Sequence, residues 1–426
     1  MLPTSLLLQN FRSFAGPAPM KLELRPLTVL FGTNGGGKSA LLRGLPLLAD
    51  SLGYDRLDAL NLENRLKPFD LDFDSLRWKG RVETDESTIG IGLRWDNDPD
   101  VQEIMWAIRE QDDWHRLVVE RLSVRGPRAA PVLSADWRLT HGEQAERALT
   151  YDIRQGEGPS IRERIAFRGL LPVAEGSSCP PALAKIEARL RTLRDSVIWL
   201  HSLRPAPQRK TRWRGAVRWS LDPDGRDAPV VLAGEPEILE DVSAWYAKHL
   251  GFDLVVQESS KREVRTLLRN RSRTGYDIDL IDTGEGLSEC LPVLTALAMA
   301  RRHAERGGPS IVAIEEPGSH LHPNLQRALT ERICAVAKAA RPRIVLETHS
   351  EHVLLTIQLK VVKGDLQPED VIFYWVRQLS DGRSVAEPVE LDGMGRFLGN
   401  WPPDAFQQDI EIAADIQLAR DEREGR

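Results

Sequence analysis

The run Gly32-Thr33-Asn34-Gly35-Gly36-Gly37-Lys38-Ser39 constrains this chain more than any other eight residues. It has the pattern GxxxxGK[ST], and its flanks fit that pattern. Residues 27–31 form a short apolar run of the kind expected in a buried strand, and the Leu-rich residues 40–48 read as a helix. Glycines let successive backbone N–H groups converge on one anion, and the N-terminus of the following helix adds roughly half a positive charge. Residues 32–39 are therefore expected to cradle the phosphates of ATP. Lys38 should reach the β- and γ-phosphates, and the Ser39 hydroxyl should ligate Mg²⁺. At average residue frequencies a chance match in such a chain is on the order of one in a hundred.

Two further apolar strands end in reactive groups. Residues 311–314 run into Glu315-Glu316-Pro317. Chemistry on a bound triphosphate needs one carboxylate near the metal and one near the attacking water. Glu315 is expected at Mg²⁺, directly or through water, and Glu316 at the water as general base. Residues 343–346 run into Glu347-Thr348-His349-Ser350. His349 there suits a hydrogen bond to the γ-phosphate and the attacking water, while Ser350 caps the helix that follows. His320, His322, His349 and His352 have no HExxH spacing, so they are not expected to hold a metal.

Residues 282–289 place Gly284, Gly286 and Ser288 before an apolar helix. Taken alone, this reads as an ordinary capped helix. In a chain with one phosphate loop it also suits a second anion-binding device, turned toward a neighbour's nucleotide.

The last third alternates helix and strand, which predicts a parallel sheet with helices on both faces. Residues 80–175 hold several short alternating segments and predict an antiparallel β lobe. The expected division is 1–48 (hairpin and phosphate loop), 49–280 (inserted β lobe with helical and basic segments), 281–378 (the rest of the ATPase core) and 379–426 (tail). The net charge of −6 argues against a general nucleic-acid coat. No apolar run reaches the roughly 18 residues of a membrane span, and the N-terminus has no signal-peptide pattern. Cys179, Cys290 and Cys334 form no CxxC pair. A reducing cytoplasm is the expected location.

The order of these motifs resembles a known group. Asn10-Phe11-Arg12-Ser13-Phe14, the phosphate loop, Gly-x-Gly-Leu-Ser, Glu-Glu-Pro-x-x-His-Leu-His-Pro and Thr-His-Ser occur together in that sequence. They are similar to the ABC-type ATPase heads of the RecF, SMC/Rad50 and OLD families. The chain looks most like bacterial OLD-like AAA ATPases with a C-terminal domain of unknown function. Two segments typical of that subgroup appear in degenerate form at 201–207 and 401–406. The resemblance implies an α/β P-loop fold of ABC-head type, a mostly parallel sheet with an antiparallel β lobe. It implies ATP and Mg²⁺ held between two heads, with Gly286 and Ser288 at the partner's nucleotide and Arg12 near the phosphates in cis. It also implies roles in antiviral defence or DNA maintenance. Glu289 stands where the family often has Gln, and a carboxylate there would repel a triphosphate unless it turns away. Only 76 residues follow Ser350, so a Toprim nuclease domain is not expected, and any cutting would fall to a separate effector.

Two readings follow. In one, the protein is an ATP hydrolase whose closed homodimer or higher oligomer signals to DNA or to an effector such as a nuclease or toxin. In the other, it is an ATP-dependent scaffold with negligible turnover. Two basic stretches are candidate DNA contacts. One comprises Arg209, Lys210, Arg212, Arg214 and Arg218, interleaved with Trp213 and Trp219. The other comprises Lys261, Arg262, Arg265, Arg269, Arg271 and Arg273. The competing reading of both is solvated loop charge.

Overall fold

Five short apolar strands lie side by side and parallel, in the order Val197–Leu200, Ile311–Glu315, Arg343–Glu347, Leu27–Gly32, Val371–Gln378. Ser384–Leu391 and Phe397–Leu398 extend this sheet antiparallel. In this computed structural model the described residues are 1–55, 57–80, 88–139, 146, 148–173, 181–213, 220–260, 262–272 and 276–399.

The central strands are buried on both faces, which explains their unbroken apolar runs. Successive side chains still part to opposite sides. Leu30, Ala313 and Val345 join one hydrophobic cluster; Val29, Ile314 and Leu346 join the other. The first cluster is completed by helix Lys38–Ser51 and by a nine-stranded antiparallel sheet. The second is completed by helices Pro236–Leu250, Glu285–Glu305, Pro323–Ala340 and Glu351–Val362. Each fully buried Leu, Ile or Val contributes roughly 1.5–3 kcal/mol relative to exposure.

Strand pairing crosses the expected domain limits. The nine-stranded sheet begins with Ser5–Gln9 and Met20–Glu23, and Thr88–Arg94 pairs directly with Ser5–Gln9. The N-terminal hairpin thus belongs to the β lobe that was expected to start at 49. Val197–Leu200, inside the expected 49–280 segment, forms the edge of the central sheet. Ser384–Leu391, expected in the tail, also belongs to the central sheet.

A small third sheet joins Thr211–Arg212, Phe252–Ser260, Glu263–Asn270 and Asp277–Asp279. The second basic stretch, read above as a DNA contact or as solvated loop charge, lies largely on a paired strand, Glu263–Asn270. Its Val264, Leu267 and Leu268 are buried, while Arg265 and Arg269 reach carboxylates of the same sheet. The arginines masked a strand's apolar face.

Candidate functional site

Parallel strands bring their C-terminal ends to one edge, where α/β sheets characteristically bind ligands. Gly32, Glu347 and Glu315 end three neighbouring strands at this edge, and Glu315 is in register with Glu347. A cleft of about 660 Å³ opens there. It is lined by Arg12, by residues 34–39, by Arg43, Arg77 and Lys79, and by Glu347 and His349. Glu347 is the sole carboxylate among those lining residues. A cleft with this balance of charge attracts a polyanion.

The loop has the backbone that its glycines predict. Gly32 and Gly37 take φ of 148° and 107°. A Cβ on Gly32 would lie 1.9 Å from the Val376 carbonyl oxygen, so only glycine permits the strand to leave the sheet here. Lys38 is buried, and its Nζ donates to the carbonyls of Gly32 and Thr33 at 2.9 Å each. Burial lowers the Lys38 pKa, against the charges of Glu347 and Glu316 that raise it.

Helix Lys38–Ser51 decides what the two strand-end carboxylates do. Alternation sends the side chains of Glu315 and Glu347 to the face that this helix covers. Ser39 and Arg43 lie one helical turn apart, so each meets one carboxylate. The Ser39 hydroxyl donates to Glu347 Oε1 at 2.6 Å. Arg43 donates Nε and Nη2 to the two Glu315 oxygens at 2.7 and 2.8 Å. Trp199 Nε1 and the Ser202 backbone N–H also donate to Glu315, both at 3.3 Å.

Glu315, expected at the metal, is turned instead into the Arg43 guanidinium. Its charge is compensated by a bidentate guanidinium, it is 1% exposed, and it does not line the cleft. Glu347, which the sequence reading passed over, stands against Ser39 instead. Burial, and then the charge of Glu315, push its carboxyl up to about 7, against the Ser39 bond and Lys38. The available signal was a carboxylate interposed between an apolar strand and Thr-His.

Glu316 turns the chain with a φ of 44°, and its N–H donates to the Glu347 carbonyl at 2.8 Å. Its carboxylate lies 3.6 Å from His349 Nε2. Burial raises the Glu316 pKa, against the His349 N–H, Lys38 and Arg204. Burial, then Lys38, lowers that of His349. Both shifts run toward the uncharged form of the group concerned. Arg204 was also missed as a site residue. Its buried guanidinium donates to the carbonyls of His201 at 3.1 Å and Glu315 at 3.0 Å, and to that of Glu316. It thereby fixes the turn that carries the carboxylates.

The structure brings Arg12, residues 34–39 and His349 together at the cleft, while Gly32, Thr33 and Glu316 are not among its lining residues. Burial, then Arg43, lowers the Arg12 pKa. Gly286 and Ser288 are not among the cleft's lining residues. Ser288 was expected at the helix start, but Glu285, Gly286 and Leu287 precede it in the helix. Its hydroxyl donates to the Glu285 carbonyl at 2.8 Å. A Cβ on Gly286 would lie 2.8 Å from the His320 carbonyl oxygen. Glu289 turns to His320 at 3.7 Å and Ser319 at 3.5 Å, so this helix start is tied to the Glu-Glu-Pro loop.

The basic stretches are largely engaged. Arg209 pairs with Asp282, Lys210 with Glu263, Arg265 with Asp279, Arg269 with Asp277 and Arg271 with Asp253. Arg214, Arg218, Trp219, Lys261, Arg273 and the segment 401–406 lie outside the described residues. Among the described residues no helix is long and apolar enough to cross a membrane.

The fold is an α/β P-loop domain of the ABC-ATPase head type. A family model described as "AAA domain, putative AbiEii toxin, Type IV TA system" matches residues 186–355. That span holds Ser288, Glu315, Glu316 and His349 but not the phosphate loop. The head of SMC bound to the C-winged helix domain of ScpA aligns with a TM-score of 0.50 at 11% identity, over 92% of this chain and 98% of that one. This likeness concerns the fold. An SMC head domain from Thermotoga maritima gives 0.44 at 12% identity, over 92% of this chain and all of that one. An SMC head from Pyrococcus furiosus with an extended coiled coil, bound to the C-terminal domain of ScpA, gives 0.46 at 11% identity, over 97% and 99%. No curated protein matches the sequence.

Proposed function

We propose that this protein binds ATP with Mg²⁺ in the cleft at residues 32–39 and hydrolyses it. One observation carries the reading: a glycine cradle, a buried lysine and His349 line one cleft, and the Glu316 carboxylate lies 3.6 Å from that histidine. The loop amides and Lys38 hold the β- and γ-phosphates. Arg12 adds positive charge from the N-terminal hairpin. Glu316 takes a proton from the attacking water, and His349 orients that water and the γ-phosphate. The donor set suits Mg²⁺, because the Ser39 hydroxyl and the carboxylates at the neighbouring strand ends are hard oxygen donors. When bound, the ion neutralises charge on the phosphate oxygens.

Ser288 lies off the cleft at one end of a long helix, which favours a head-to-tail homodimer in which it reads the partner's nucleotide. The SMC head of known structure is bound by a winged-helix domain, and an effector protein responding to the closed dimer is the corresponding proposal here. The motif order favours a stand-alone OLD-like ATPase of the cytoplasm acting in defence or DNA maintenance. ATP turnover and particle mass, measured together on the native chain and on Glu316→Gln, test this reading. Turnover lost with a dimer trapped by ATP supports it. Unchanged behaviour of the variant favours the scaffold reading instead.

A further inference from the structure

We propose that Glu347, not Glu315, is the protein carboxylate that faces the nucleotide-bound Mg²⁺ in this chain. The inference rests on the nucleotide reading above and adds to it the identity of the metal carboxylate.

Three observations carry it. Glu347 Oε1 accepts from Ser39 Oγ, the hydroxyl that a phosphate loop presents to the metal. Its other oxygen is free of hydrogen-bond partners among the described residues, although the residue is 94% buried and lines the cleft. An unpartnered carboxylate oxygen in such a place carries a large desolvation cost, which a cation relieves. Glu315, by contrast, has both oxygens in the Arg43 fork. To reach a metal it would have to give up those bonds and leave Arg43 without its partner. The two glutamates are in register on adjacent strands, so one helical turn between Ser39 and Arg43 is enough to exchange their roles.

The test is the Mg²⁺ dependence of nucleotide affinity, read with a fluorescent ATP analogue on the full chain. For the native protein, Mg²⁺ should tighten binding roughly tenfold, which corresponds to about 1.4 kcal/mol. Glu347→Gln keeps an acceptor for Ser39 and should lose that gain, while its affinity in EDTA stays unchanged or improves. Glu315→Gln should retain the gain. A full Mg²⁺ gain in Glu347→Gln, or its loss in Glu315→Gln alone, would overturn the proposal. Should Glu315→Gln fail to fold, Mn²⁺ resonance on native and Glu347→Gln proteins decides alone. Loss of the protein-bound Mn²⁺–nucleotide signal in Glu347→Gln supports the assignment, and an unchanged signal refutes it. Absence of analogue binding by the native chain, with or without metal, would instead sink the nucleotide reading itself.

Discussion

Two regions of this molecule are rich in arginine and lysine, and they treat those charges in opposite ways. In the cleft, Arg43 pairs with Glu315 and Arg77 with Asp74, while Arg12, Lys38 and Lys79 form no ion pair among the described residues and share the wall with one lining carboxylate, Glu347. In the small sheet, Arg209, Arg265 and Arg269 each meet an aspartate of the same neighbourhood. The first arrangement leaves positive potential for a ligand; the second spends it on holding strands and turns together. A count of basic residues ranks these regions equally, whereas their pairing separates them. The lesson applies within the cleft as well, where Arg43 is bound to Glu315 while, among the described residues, Glu347 is the one carboxylate that lines the cleft beside the phosphate loop.

The largest effect that sharpens this contrast is expected at Glu316. Glu316→Gln should lower turnover by roughly a thousandfold while ATP still binds, since a positioned base contributes 10² to 10⁴. Steady-state hydrolysis and nucleotide binding, measured on the same preparation, check it. Next comes Arg43→Ala, which strands a fully buried carboxylate. It should cost about 3 kcal/mol of stability in a denaturant melt, and Glu315→Gln in the same chain should recover part of that loss. A smaller change is expected for Ser39→Ala, whose ATP affinity should fall roughly tenfold with Mg²⁺ and hardly at all in EDTA. The smallest concerns the sheet. Arg269→Gln should leave nucleotide affinity, turnover and the salt dependence of any DNA binding as they are, because its partner is an exposed surface aspartate. A clear loss of DNA binding in that variant would break the comparison.

Much of this arrangement is legible in the sequence. The Leu27–Gly32 strand, the loop and the helix after it follow from apolar runs and glycines, because short buried strands and phosphate loops are local patterns. The histidine and the paired glutamates stand at strand ends as their apolar approaches require. Pairing is not local, so the N-terminal hairpin's place in the β lobe and the edge position of Val197–Leu200 could not be read from residue order. The same limit explains why Glu347 and not Glu315 meets Ser39. Which glutamate meets Ser39 depends on the strand order and on the helix turn that faces it. Arg204 was hidden for a similar reason, since its partners are backbone carbonyls more than a hundred residues away.

The central claim is that residues 32–39 hold the triphosphate of ATP. Calorimetric titration of ATP with Mg²⁺ into the native chain and into Lys38→Ala tests it most directly. The account predicts saturable binding by the native protein and a loss of roughly a hundredfold or more in the variant, as expected when charge-assisted bonds to phosphate are removed. Equal binding by both proteins, or none by the native one, would contradict it.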